Sequence, residues 1–148
     1  VQFPFTGLGG STIVAFNNTG NVDVQVGTLA LTNPAANAGR ISVAAGTTLS
    51  VSGPFTQLSF GTIEVAVTGT AAGQFGRVMV TGLATLDGKL TSIFSDGFVP
   101  VVDDSFQVIT FASRVGTFAT VDSRNAPTGR TVVASYGSTI VRVIVVAG

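Results

Sequence analysis

Gly20-Asn-Val-Asp-Val-Gln-Val-Gly27 reads as a glycine, one polar residue and then a strand of alternating apolar and polar side chains. Three further stretches begin alike: Gly39-Arg-Ile-Ser-Val-Ala-Ala-Gly46, Gly61-Thr-Ile-Glu-Val-Ala-Val-Thr68 and Gly76-Arg-Val-Met-Val-Thr-Gly82. Their starts lie 19, 22 and 15 residues apart. A repeat of this length marks stacked coils, each burying its apolar side against its neighbours. Alignment places Val22, Ile41, Ile63 and Val78 in one column and Val24, Val43, Val65 and Val80 in the next. Because side chains alternate along a strand, these columns are expected to face inward. Asp23, Ser42, Glu64 and Met79 between them are expected to face outward. Gly27-Thr-Leu-Ala-Leu then matches Gly46-Thr-Thr-Leu-Ser-Val with one residue inserted, so Leu29 and Leu31 should stack near Leu49 and Val51.

Outward from this repeat the chain stays β-like. Its 19 glycines punctuate runs of Val, Ile, Thr and Phe, which favour a pleated surface over a helix. Past about Asp96 the repeat gives way. Thr131-Val-Val-Ala-Ser-Tyr-Gly-Ser-Thr-Ile-Val-Arg-Val-Ile-Val-Val reads as a hairpin turning at Tyr136-Gly-Ser. Asp103-Asp104 reads as a turn between strands. The expected organisation is all-β: an entry or pairing segment over residues 1–16, a short parallel β-solenoid over 17–95 and an antiparallel β-rich cap over 96–148. A β-sandwich is the alternative, because the spacing of the repeats is irregular.

The composition narrows the function. The chain has 148 residues, 45% hydrophobic and only 9% charged, which is one domain able to bury a core. Seven basic and seven acidic residues cancel, so no long-range field draws nucleic acid or an anionic membrane. No apolar run approaches the length of a membrane-spanning helix. Low net charge removes the repulsion that keeps copies apart. Histidine and cysteine are absent, so the usual nucleophile–base pairs, zinc sites and disulfides are unavailable. Beginning at Val1, the chain is expected to be a processed product or a fragment.

Asn18-Thr-Gly-Asn-Val-Asp-Val, Gly46-Thr-Thr-Leu-Ser-Val-Ser-Gly53-Pro-Phe-Thr-Gln, Val80-Thr-Gly-Leu-Ala-Thr-Leu-Asp-Gly-Lys-Leu and Asp104-Ser-Phe-Gln-Val-Ile-Thr-Phe followed by Gly116-Thr-Phe carry a resemblance. Together they resemble the β-solenoid stalks of large bacterial surface proteins, in the style of autotransporter passenger domains and filamentous adhesins. The likeness implies a secreted or surface-displayed stalk, adhesin or fibre with no shared catalytic residues. The chain is shorter than such stalks usually are.

Carboxylates are the only plausible catalytic groups. Asp23 and Glu64 share an outward column two coils apart, roughly 10 Å at ordinary strand spacing, near the upper end for an inverting glycosidase pair. The plainer reading is two solvated charges. Asp103-Asp104 lacks the spaced ligands of a calcium loop. Gly7-Leu-Gly9-Gly10-Ser-Thr12 lacks the last glycine of a dinucleotide fingerprint and any βαβ context. Arg40 and Arg77 align in one column with Thr62 between them. Asp23, Arg40, Glu64 and Arg77 are therefore the candidate outward binding face, Phe3 and Phe5 the candidate self-association anchors, and Asn17 of Asn17-Asn-Thr19 the candidate glycosylation acceptor. The resulting expectation is a non-enzymatic, extracellular structural protein without catalytic residues, cofactor or metal. It associates with copies of itself into a surface fibre or filament. The alternative is a glycan- or protein-binding segment of an adhesin stalk.

Overall fold

The computed structural model describes residues 2–3, 16–31, 34–71 and 73–148, with the backbone alone at 2, 3 and 16. The chain is all-β. After β1 (Gln2–Phe3), the first coil is built of β2 (Phe16–Asn18), β3 (Asn21–Val24) and β4 (Thr28–Leu31). The second is β5 (Ala35–Asn37), β6 (Arg40–Val43) and β7 (Thr48–Val51), and the third β8 (Phe55–Gln57), β9 (Thr62–Val67) and β10 (Arg77–Val80). The fourth is β11 (Leu83–Leu86), β12 (Lys89–Phe94) and β13 (Ser105–Thr110). A fifth begins with β14 (Ser113–Gly116) and β15 (Thr120–Arg124) and ends in the hairpin β16 (Arg130–Tyr136) and β17 (Ile140–Ala147).

Each of the first four coils gives one strand to each of three sheets, and the fifth gives two to sheet C. Sheet A runs β1-β3-β6-β9-β12-β15, sheet B runs β2-β5-β8-β11-β14, and sheet C runs β4-β7-β10-β13-β17-β16. All pairings in sheets A and B are parallel, and antiparallel pairing of strands is confined to β17 with β13 and β16 with β17. This is a parallel β-solenoid with an antiparallel end, not a sandwich. The pairing changes later than the expected boundary near residue 96, because β14 and β15 still continue the parallel stack. The Asp103-Asp104 turn leads into β13 and is not flanked by two strands of a hairpin; Asp103 adopts φ 78° and Asp104 N donates to Val101 O.

The first three repeats align as expected. Val22, Ile41 and Ile63 are in register on sheet A, and Leu29 and Leu31 lie beside Leu49 and Val51 on sheet C. The fourth repeat is a correction. Gly76-Arg-Val-Met-Val belongs to sheet C, where Val78 pairs with Leu49 and Ile109. The fourth member on sheet A is Gly88-Lys-Leu-Thr, with Leu90 beside Ile63. Gly20, Gly39, Gly61 and Gly88 share the corner between sheets B and A, at intervals of 19, 22 and 27 residues. At Gly39, Gly61 and Gly88 a Cβ would fall on backbone of the preceding coil. Gly76 meets the same constraint at another corner, against Val43 O, so both kinds of glycine look alike in sequence. The lengthening to 27 residues comes from a reversed loop before β10, closed by the Val67–Phe75 bridge; a further longer loop precedes β13.

The core is the inward columns, Val22 to Val145, all nearly inaccessible. The longer loops deliver Phe75 and Phe98, which pack with Phe94 and Phe106 at centroid separations of 5.9–6.2 Å, a range typical of aromatic pairs. One buried column is polar. Asn18 Nδ2 donates to Asn37 Oδ1 (2.9 Å), and Asn37 Nδ2 donates to Gln57 Oε1 (3.0 Å). The Asn18 and Asn37 side chains also bind the corner backbone, through Gly20 N and Arg40 O, and Gly39 N and Thr62 O. Gln57 ends this ladder with its Nε2 unpartnered among the described residues.

Candidate functional site: the outward face of sheet A

Alternation turns at least two residues of each sheet A strand from β3 to β15 away from the core. Register aligns Asn21, Arg40, Thr62, Lys89 and Thr120 in one outward column, and Asp23, Ser42, Glu64, Thr91 and Asp122 in another. A third, shorter column holds Ala66, Ile93 and Arg124. Of the four residues expected to form a binding face, Asp23, Arg40 and Glu64 therefore do share a sheet face. Arg77 does not: it lies on sheet C beside Thr48, because its repeat was displaced to that sheet.

Glu64 departs from the expected solvated charge. It sits between inward Ile63 and Val65, yet only 2% of its side chain is accessible. Arg40 Nε donates to Oε1 at 2.6 Å, and Arg124 Nη2 donates to Oε2 at 2.7 Å. Each oxygen thus accepts a charge-assisted bond, which offsets the desolvation of the carboxylate. The guanidinium groups cover the acid while remaining about half in water. A second pairing lies alongside: Lys89 Nζ is 3.2 Å from Asp122 Oδ2, and Thr91 Oγ1 donates to Asp122 Oδ1 at 2.6 Å. The acids of the third and fifth coils are turned toward bases of the same sheet. Both oxygens of Glu64 are engaged by arginines, and Asp23 stands two strands away on the same sheet face.

The remaining sequence candidates are dispersed. Asn17 is exposed in β2 on sheet B. The backbone of Phe3 belongs to β1 and pairs with Val24, while Phe5 lies outside the described residues. Three groups escaped the sequence reading. The Asn18–Asn37–Gln57 ladder had a signal, Asn-x-Gly at Asn18-Thr-Gly20 and Asn37-Ala-Gly39 at the repeat interval. Arg124 had none, since its reach to Glu64 depends on the stacking of coils. Arg114 occupies an inward column after Ala35, Phe55 and Ala84, where its guanidinium lies 4.9 Å over the Tyr136 ring. Tyr136 Oη accepts from Phe118 N at 3.1 Å, which ties β16 across the end of the stack. No pocket is present among the described residues, and no group of three or more metal-ligating acids. In comparison with known proteins, the chain matches no family model and no curated sequence.

Proposed function

We propose that this chain is an extracellular, non-catalytic structural protein, a self-associating subunit of a surface fibre or filament akin to bacterial β-solenoid stalks. The observation that carries the reading is the outward face of sheet A. Its charges recur as pairs between coils, Glu64 with Arg40 and Arg124 and Asp122 with Lys89, so they fasten the stack instead of standing free for a ligand. The inward columns repeat apolar residues from coil to coil, an architecture that extends by adding like units. Net neutrality lets copies approach one another. Negative-stain electron microscopy of the purified chain at high concentration tests this: elongated assemblies are expected, and dispersed single particles would contradict it.

A second reading, an adhesin stalk segment that binds a glycan or a protein, draws on one observation. Phe60 projects from the corner between β8 and β9 with 86% of its surface exposed, beside half-exposed Leu58. Saturable cell or glycan binding lost on Phe60→Ala would favour it.

A further inference from the structure

The C-terminal hairpin leaves one strand half-paired. Gly137 N donates to Ile140 O (2.8 Å) at its turn, and Gly148 N donates to Gly129 O (3.1 Å) at its open end. Antiparallel pairing alternates, so with this register Thr131 and Val146, Val133 and Ile144, and Ser135 and Arg142 exchange backbone bonds. The N–H and C=O groups of Val132, Ala134 and Tyr136 therefore point away from β17. No described strand pairs with β16 on that side.

Edge strands are normally guarded by lysine, proline, a bulge or short length. β16 has seven residues in unbroken register, no proline or lysine, and a single charge at its first position, Arg130. The bulge of this sheet, at Val108, lies between β13 and β17 and does not protect the edge.

We propose that the free edge of β16 is a docking strand for a second copy of this chain, pairing antiparallel with its β16 about a two-fold axis at Val133. This rests on the self-association reading and assigns one of its contacts; a two-fold contact closes at a dimer, so a fibre needs a second contact elsewhere on the chain. In that register Val132 of each copy bonds Ala134 of the other, and Val133 faces Val133. Val133 is 44% exposed and its neighbour Ile144 shares the outward face, so the join carries an apolar stripe of four side chains. Thr131 falls opposite Ser135, a favourable polar cross-strand pair. The charge pattern selects antiparallel pairing. Parallel pairing would set Arg130 beside Arg130, whereas the antiparallel register separates the two by about 20 Å along the strand. Sheet C then runs unbroken through both copies. β17 of one copy then lies three strand spacings, about 14 Å, from β17 of the other.

The test uses the whole chain, which has no cysteine of its own. Facing residues of a non-hydrogen-bonded pair have Cα atoms about 4.5 Å apart, within disulfide range. Val133→Cys is expected to convert to a covalent dimer under mild oxidation, and exposed Phe60→Cys is not. Ala134→Pro removes an edge N–H that the hairpin does not use, so it is expected to weaken dimerisation at least tenfold in sedimentation while leaving the melting curve in place. Self-association that survives Ala134→Pro, with no Val133→Cys cross-link, would overturn this contact and leave the self-association reading standing. A monomeric parent chain at every concentration would overturn both.

Discussion

Arg124, at the end of β15 in the fifth coil, donates at 2.7 Å to Oε2 of Glu64 in the third, bridging the coil between them. On the other side Arg40 of the second coil holds Oε1. One buried carboxylate thus fastens coils two, three and five on a single sheet face. The neighbouring Asn125, at φ 63°, donates from Nδ2 to Phe94 O, so the chain is pinned where it leaves sheet A for the hairpin.

Glu64→Gln keeps the size of the side chain and removes its charge, which leaves two guanidinium groups with a weaker acceptor. A loss of about 1–3 kcal/mol is expected in urea unfolding. Arg124→Ala should cost less, about 0–1 kcal/mol, because its guanidinium is more than half exposed and Arg40 remains on the acid. Equal losses for the two variants would argue against a carboxylate that depends on both partners.

Gly39→Ala and Gly20→Ala separate close coil contact from turn chemistry. A Cβ at Gly39 meets the backbone of Thr19 and Gly20, and at Gly20 it meets nothing within 4 Å. Overpacking of this kind costs about 1–3 kcal/mol, so Gly39→Ala should melt clearly lower while Gly20→Ala stays near the parent. Thermal unfolding followed by circular dichroism measures both.

The sequence revealed the stacking more readily than the phase of the stack. Three of four repeat starts lie on sheet A because Gly20, Gly39 and Gly61 occupy one corner. Gly76 imitated them because it serves another corner under the same steric limit, and the insertion before β10 hid the true partner, Gly88. Period-two alternation placed Glu64 outward, which its register supports, but alternation says nothing about what covers an outward side chain. That required Arg124, 60 residues away in sequence. The hairpin around Tyr136-Gly-Ser was legible from local pattern alone, since its turn and strands are contiguous.

The Asn18–Asn37–Gln57 ladder makes a graded prediction. Asn37→Leu leaves Gln57 Oε1 without its described partner, while Asn18 Nδ2 keeps Gly20 O and Arg40 O and Gly39 N keeps Asn18 O, and should cost about 1–3 kcal/mol. Gln57→Leu ought to be milder. Gln57 Nε2 already lacks a described partner, and the next coil continues the column with apolar Leu86. Urea midpoints of the two variants, measured together, give the order.

Phe106→Ala opens a cavity beneath three aromatic neighbours, Phe75, Phe94 and Phe98, and is expected to cost about 3–5 kcal/mol. Calorimetry should show one cooperative transition moved to lower temperature. A separate early transition would instead mean that the aromatic cluster melts independently of the coils.

The central claim is that these coils form an element of assembly. Sedimentation velocity of the intact chain across a wide concentration range addresses it most directly. The account predicts a shift from monomer to elongated oligomers as concentration rises; a single compact monomer at every concentration would contradict it.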